Sequence, residues 1–350
     1  MFNNFKNKFS PNVSIDLGTS NVLVSVSDKG IIVNEPSIVA INNKTDEILA
    51  IGDEAKKMLG RTPPHISVSK PLECGIISDF EATEKMLKFF LDKLHSDRIL
   101  SAYRPRVIIG VPIGITGVER KAVEDAVFSA GAKEVFLVEQ PIAAALGAQI
   151  MINEPSGNLI VDFGGGATEI AVISLEGIVN WRRLEIAGDK LNQNIIQTVK
   201  EEFNVLLGET IAEEVKIKIG SAVPQEKDLK MTVRGRDLIT GLPKEITLND
   251  TQIRKSLEKS LSLIVDDIKS TLETTPPELV ADIYQKGIIL SGGGALLKGM
   301  DKLIESEIKI PVTVADDPLT CIIRGLSALH EDKNMLDRVT ALIDNGPIIK

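Results

Sequence analysis

The chain has 350 residues, enough for two or three domains and for burying about three quarters of the surface it would expose unfolded, with no need of a disulfide or structural metal. With 43% hydrophobic and 25% charged residues it falls among soluble globular proteins, which excludes wholesale disorder and collagen-like or mucin-like arrays. Forty Lys and Arg against 49 Asp and Glu leave a formal charge of −9, which opposes broad binding of nucleic acid.

The segment Met1 to Phe9 lacks the apolar core of a secretory signal, and no apolar run of about eighteen residues could span a bilayer. Two cysteines, Cys74 and Cys321, lie far apart and predict free thiols in a reducing cytoplasm. His65, His95 and His330 are too scattered for a metal cluster.

In chain order, Val13 to Leu17 and Val22 to Val26 are apolar strands joined by Gly18-Thr19-Ser20-Asn21, which predicts a hairpin. Ala82 to Leu94 has helical spacing at Met86, Leu87, Phe90, Leu91 and Leu94. Val107 to Val111 reads as a strand and Glu119 to Ala130 as a helix; the apolar faces of the two helices are either core or filament contacts. The hairpin grammar then recurs: Leu159 to Phe163, Gly164-Gly165-Gly166-Ala167-Thr168-Glu169, and then Ile170 to Ile173. Asp16 and Asp162 each end a buried-looking strand, followed by one apolar residue and then Gly, so the chain reads as an internal duplication with one lobe per copy. Leu191 to Phe203, Ile211 to Ile219 and Ile253 to Leu272 read as helices, and Pro276-Pro277 as a turn. Gly287 to Leu290 reads as a strand running through Ser291-Gly292-Gly293-Gly294 into a helix from Ala295 to Ile304. Alternating strands and helices give an α/β class.

A bound triphosphate needs backbone N–H groups at close range, a few hydroxyls, and carboxylates that hold Mg²⁺ through its waters. Gly18, Thr19, Ser20 and Asn21 beside Asp16 offer one such set, and Gly164, Gly165, Gly166, Ala167 and Thr168 beside Asp162 a second. Ser291 to Ala295 is a third glycine run, fit for a phosphate or a flat base. No GxxxxGK[ST] occurs and no GxGxxG opens a helix after the first strand, so neither of the commoner nucleotide loops applies.

These residues resemble the actin, sugar-kinase and DnaK-chaperone ATPase superfamily, and within it the MreB family of bacterial actins. The likeness runs from about Val13 to His330 through IDLGTSNVLV, NEPSIVAI, AKKMLGRTP, ISDFEATEKML, VPIGITGVERKAV, EQPIAAALGA, NLIVDFGGGATEIAVISL, AGDKLNQNI, ELVADIYQKGIILSGGGALLKGMDKLI and PVTVADDPLTC. It implies an actin-like ATPase fold of two duplicated lobes around a nucleotide cleft. Residues 11–150 would form lobe I, with a smaller subdomain at about 33–75, and 151–335 lobe II, with a smaller subdomain at about 190–250. A membrane-contacting tail at 1–10 and a C-terminal tail at 336–350 would flank them. It further implies ATP or ADP with Mg²⁺, and filaments at the inner face of the cytoplasmic membrane that govern cell shape.

Carried onto this sequence, the resemblance puts Gly18 to Asn21 and Gly164 to Ala167 at the phosphates and Asp16 and Asp162 at the Mg²⁺ shell. Gly188 and Asp189 would lie near the ribose, and Glu213, Lys216 and Gly292, Gly293, Gly294 and Ala295 near the nucleoside. Glu214 stands where many relatives carry Arg. The catalytic expectation falls on Gln140, Asp162 and Thr168. Relatives usually place Glu before the Pro of an EEPMAAA-like segment, whereas this chain has Glu139-Gln140-Pro141. A glutamine can hold a water but cannot accept its proton, and the neighbouring Glu139 diverges in direction. The usual GGGTTE reads Gly166-Ala167-Thr168-Glu169 here, one hydroxyl short. Slow hydrolysis is expected. Arg324, where relatives are small or apolar, has no account in the sequence.

Phe2, Phe5 and Phe9 would form an aromatic stripe beside Lys6 and Lys8 on a helix, which predicts membrane contact. Ile99, Leu100 and Tyr103, flanked by Arg98, Arg104 and Arg106, are either a second such contact or a buried connection. The rival activities are three. A small-molecule kinase of the same superfamily would need an acceptor pocket, and a DnaK-type chaperone would carry a further domain where this sequence runs to Lys350. A non-hydrolysing scaffold would differ only in turnover.

Overall fold

The computed structural model describes residues 11–94 and 104–344. The predicted membrane contacts Phe2, Phe5, Phe9, Ile99, Leu100 and Tyr103 lie outside them. Two compact units emerge: one comprises the chain up to Pro155, Ile173–Ile178 and the chain from Thr320, and the other Ser156–Val172 and Val179–Leu319.

The first unit begins with β1 (Asn12–Leu17), β2 (Asn21–Val26) and β3 (Gly30–Pro36). Val13, Ile15 and Leu17 of β1 are buried, as are Ser14 and Asp16, so both faces of this strand are covered, the apolar residues on one face and the serine and aspartate on the other. Next come β4 (Val39–Asn42), β5 (Glu47–Ile51), α1 (Asp53–Met58), β6 (Ile66–Ser69), β7 (Leu72–Glu73), β8 (Ile76–Ile77) and α2 (Phe80–Leu94). The unit continues with β9 (Arg106–Val111), α3 (Gly117–Ser129), β10 (Glu134–Glu139) and α4 (Gln140–Gly147). Its main sheet has the order β10-β9-β1-β2-β3, and a small separate sheet the order β5-β4-β6. β1 and β2 form the predicted antiparallel hairpin, and β9 lies parallel to both β1 and β10. Thr116 starts α3 with a capping box: its hydroxyl accepts from the Glu119 N–H while the Glu119 carboxylate accepts from the Thr116 N–H. Met86, Leu87, Phe90 and Leu91 of α2 and Val123, Ala126 and Val127 of α3 are core, which decides for packing at these positions.

In the second unit come β11 (Asn158–Phe163), β12 (Thr168–Ser174), β13 (Gly177–Leu184), α5 (Gly188–Phe203), β14 (Val205–Leu206) and α6 (Glu209–Ile219). They are followed by β15 (Lys230–Asp237), β16 (Pro243–Asn249), α7 (Asp250–Glu273), α8 (Pro277–Lys286) and β17 (Ile288–Ser291). A 3₁₀ turn (Gly293–Leu296), α9 (Met300–Ile308) and β18 (Val312–Val314) complete it. The main sheet is ordered β13-β12-β11-β17-β18, the order of β3-β2-β1-β9-β10, with β17 parallel to β11 and β18 as β9 is to β1 and β10. The duplication suggested by two aspartates therefore extends to whole five-stranded sheets. β14, β15 and β16 form a second small sheet.

Three sequence boundaries change. The chain returns to the first unit at Thr320, not after 335, because α10 (Cys321–Ala328) crosses α4 at backbone contact. A Cβ on Gly147 would fall 1.8 Å from the Cys321 carbonyl oxygen, and one on Gly325 1.8 Å from that of Ala143. The predicted tail from 336 is instead part of α11 (Lys333–Asp344), where Leu336 and Val339 are buried and Arg338 pairs with Glu176 through both guanidinium and carboxylate forks. Finally, the glycine run does not enter a helix at Ala295. It makes the 3₁₀ turn, and Gly299 in the left-handed region (φ 74°) separates that turn from α9. Pro276-Pro277 likewise does more than turn the chain, since Pro277 opens α8.

Candidate functional site

The two glycine turns are closed in the same way. The Gly18 N–H donates to the Asn21 carbonyl at 3.1 Å, and the Gly164 N–H donates to the Ala167 carbonyl at 3.1 Å. A Cβ would stand 2.7 Å from Asn21 O at position 18 and 3.0 Å from Ala167 O at position 164, so each turn is tight enough to select glycine. Asp16 and Asp162, two residues back from each, are buried at 7% and 5% exposure.

Around the first turn the side chains are committed to fixing its shape. Thr19 Oγ1 accepts from the Gly75 N–H at 2.6 Å, the Ser37 hydroxyl donates to the Gly18 carbonyl at 2.5 Å, and Asn21 Nδ2 donates to Asn34 Oδ1 at 2.9 Å. Ser20 takes part through its carbonyl, which accepts from the Ser37 N–H.

The second turn is fastened to the start of α5. Gly188 N–H donates to Gly164 O at 3.2 Å and Asp189 N–H to Gly165 O at 2.8 Å, while Lys216 Nζ, from α6, donates to Gly188 O at 2.8 Å. A Cβ at Gly188 would lie 3.3 Å from Lys216 Nζ and 3.5 Å from Gly165 Cα. The structure thus brings together Gly164, Gly165, Gly188, Asp189 and Lys216: an N-terminal helix end, a turn of small residues and an ammonium, which together suit an anionic ligand. Glu213 lies one helical turn before Lys216 on α6, half-buried, whereas Glu214 is exposed and pairs with Lys218.

Gly292, Gly293, Gly294 and Ala295 close over the end of β11. Gly292 sits at φ 77° against the Phe163 carbonyl, and Gly294 faces the Phe163 ring. Asp162 Oδ1 accepts from the Ser291 hydroxyl at 2.7 Å. Burial raises the Asp162 pKa from its ordinary carboxylate value, and the Ser291 bond opposes that rise. Oxygen donors of this kind fit a hydrated Mg²⁺ better than a direct metal cage. Among the described residues no group of three or more His, Cys, Asp and Glu could hold a metal ion by itself.

One catalytic expectation, Thr168, meets a competing partner. Thr168 is fully buried and its hydroxyl donates to the Ile186 carbonyl at 2.6 Å, so its proton is already used to tie β12 to the approach of α5. Gln140, at 8% exposure, is the first residue of α4. Glu139 ends β10, and burial raises its pKa against the opposing charge of Arg120. In the sequence Ser291 is only the residue ahead of the glycine run; its partnership with Asp162 follows from the strand register that sets 162 opposite 291. Arg324, unexplained by sequence, directs Nη2 to Cys321 Sγ at 3.2 Å. Arg106, read as a flank of a membrane-dipping loop, pairs with Glu134 at 2.8 Å and lies over the Phe136 ring.

A family model described as MreB/Mbl protein matches residues 10–338. The chain belongs to the MreB/Mbl family. It is 44% identical over 330 residues to the cell shape-determining protein Mbl of Bacillus subtilis, covering 94% of this chain and 98% of that one. To the cell shape-determining protein MreB of Escherichia coli K12 it is 46% identical over 329 residues, covering 93% and 94%. The crystal structures of Spiroplasma citri MreB5 bound to ADP and to AMPPNP superpose with a TM-score of 0.89 at 38% identity, covering 96% of this chain and 99% of theirs. The actin-like MreB fold expected from the motifs is therefore the fold present. Both glycine turns, Gln140 and the run at 292–295 lie inside the MreB/Mbl match, and residues 1–9 lie ahead of it.

Proposed function

We propose that this chain is an ATP-binding cytoskeletal protein that polymerises into filaments on the inner face of the cell membrane, governs cell shape, and hydrolyses ATP slowly. The observation that carries the reading is the pair of glycine turns, each closed by the same N–H to carbonyl bond beside a buried aspartate. Support comes from the MreB5 structures bound to ADP and AMPPNP and from relatives described as cell shape-determining.

On this reading the turn from Gly164 to Ala167, whose carbonyls at 164 and 165 hold the first two amides of α5, receives phosphate oxygens, Gly188 and Asp189 bound the ribose, and Lys216 lies near the nucleoside. Gly292 to Ala295 approach the base through backbone, and Gly18 to Asn21 of the first unit form a second phosphate turn. Mg²⁺, when bound, supplies charge neutralisation for the phosphates. Asp16 and Asp162 meet it through water, and Gln140 orients the attacking water without taking its proton. The Phe2, Phe5 and Phe9 stripe, with Ile99 and Leu100, is proposed to touch lipid, each contact weak and made sufficient by a polymer that presents many together.

Pelleting of the full chain with ATP and Mg²⁺, with and without liposomes, and with released phosphate assayed in the same sample, tests every part. Nucleotide-dependent sedimentation with little phosphate is expected. Absence of pelleting under all nucleotide conditions defeats the filament reading, and liposome pelleting unchanged after removal of residues 1–9 defeats the anchor.

A further inference from the structure

Asp162 and Ser291 face each other across the parallel strands β11 and β17. The Ser291 hydroxyl, in a fully buried residue, is spent on one oxygen of one carboxylate, Asp162 Oδ1, at 2.7 Å. The terminal torsion of an aspartate is intrinsically broad and two-fold, so such a bond selects which oxygen points where. The other oxygen, Oδ2, lies 3.9 Å from where a Cβ on Gly164 would stand, on the side of the glycine turn.

We propose that Ser291 is a positioning residue for the cation side of the nucleotide site: by holding Oδ1 of Asp162 it presents Oδ2 to the hydrated Mg²⁺ of a bound nucleotide. The inference rests on the ATP-binding reading and adds a residue to it. Mg²⁺ sheds its waters reluctantly and is reached through one or two well-aimed carboxylates. A carboxylate free to rotate would meet it in fewer of its orientations. Ser291 touches neither phosphate nor cation in this account and acts only through Asp162.

The test is calorimetric binding of AMPPNP to the full chain across a magnesium titration, and again in EDTA. Ser291→Ala is expected to raise the magnesium concentration for half-maximal tight binding by about tenfold or more, the range met when an outer-shell partner is removed. Its affinity in EDTA is expected to stay that of the unaltered chain, and Ser291→Thr, which keeps the hydroxyl, to restore the magnesium curve. Asp162→Asn serves as the control and should shift that curve as well. A Ser291→Ala curve superposed on the unaltered one while Asp162→Asn is shifted overturns the proposal and leaves ATP binding standing. Equal weakening with and without magnesium overturns it too, because that marks general damage. No AMPPNP binding by the unaltered chain overturns the ATP reading and this inference together. Should Ser291→Ala fail to fold, Ser291→Cys, of similar volume but a weak donor, is read by the same criteria.

Discussion

Gly294 lies directly on the ring of Phe163: a Cβ at 294 would stand 2.1 Å from Cγ and 2.4 and 2.5 Å from the two Cδ atoms. Phe163 is 1% exposed and belongs to the main core of its unit, so the ring cannot swing away. Gly294→Ala is therefore expected to destabilise by about 2 kcal/mol or more, the upper part of the overpacking range. Thermal denaturation checks it, with Gly117→Ala as the comparison, since nothing lies within 4 Å of a Cβ there. Phe163→Leu should be less harmful when combined with Gly294→Ala than alone; strictly additive losses would refute the contact as the cause.

A second prediction concerns the crossing of α4 and α10. Gly147 and Gly325 let the two helix backbones touch, with hypothetical Cβ positions 1.8 Å from opposing carbonyl oxygens. Backbone cannot step aside as a side chain can. Gly325→Ala should push α10 off α4 and with it the segment that returns to the first unit at Thr320. Poor recovery of soluble protein or loss of cooperative melting is expected, and a melting midpoint within error of the unaltered chain would contradict this.

Much of this is legible in the residues, and what is not has physical causes. The β1–β2 and β11–β12 hairpins are readable because their strands are rich in valine, isoleucine and leucine and their turns carry glycine at the tight position. The helices at Met86–Leu91 and Val123–Val127 are readable from spacing alone. The Ser291–Asp162 bond is not, because register between strands so distant in sequence is set by tertiary packing and leaves no local mark. The glycine run misleads at its end: Gly299 at positive φ is invisible as a break when the flanking residues keep helical spacing. Thr168 misleads because a hydroxyl beside a glycine turn suggests a ligand, whereas the carbonyl of Ile186 claims it.

His330 gives the third prediction, a pH dependence. Burial lowers its pKa from 6.5 to about 4, with a smaller contribution from Arg106, against an opposing hydrogen bond to the Val13 backbone. The unfolded chain therefore binds a proton here that the folded one refuses between those values. Stability is fully present above about pH 6.5, falls as the pH drops through that window, and levels off below about 4, the total loss from this group being at most about 3 kcal/mol. The denaturant midpoint of the unaltered chain should fall relative to that of His330→Gln as the pH drops from 7 to 4, whatever constant offset separates the two above pH 7. Parallel pH profiles would mean that His330 is not charged on unfolding.

The last prediction turns on the glutamine at position 140. Gln140 packs beside Gly110 of β9: a Cβ at 110 would stand at contact distance, 3.4 Å, from Gln140 Cγ, with Ile322 at 3.3 Å and Leu326 at 3.4 Å. Gln140 is buried at the start of α4, while Glu139 ends β10 in buried surroundings near Arg120. If hydrolysis is slow because no proton acceptor stands at 140, Gln140→Glu should raise phosphate release under polymerising conditions by about 10²-fold or more, the usual contribution of a positioned base. Ala167→Thr, which supplies the absent hydroxyl, should add a smaller increase, and AMPPNP affinity should change little in either. A rate that Gln140→Glu leaves unaltered would place the limit elsewhere, in phosphate egress or in filament turnover, and the side chain at 140 would lose its assigned part.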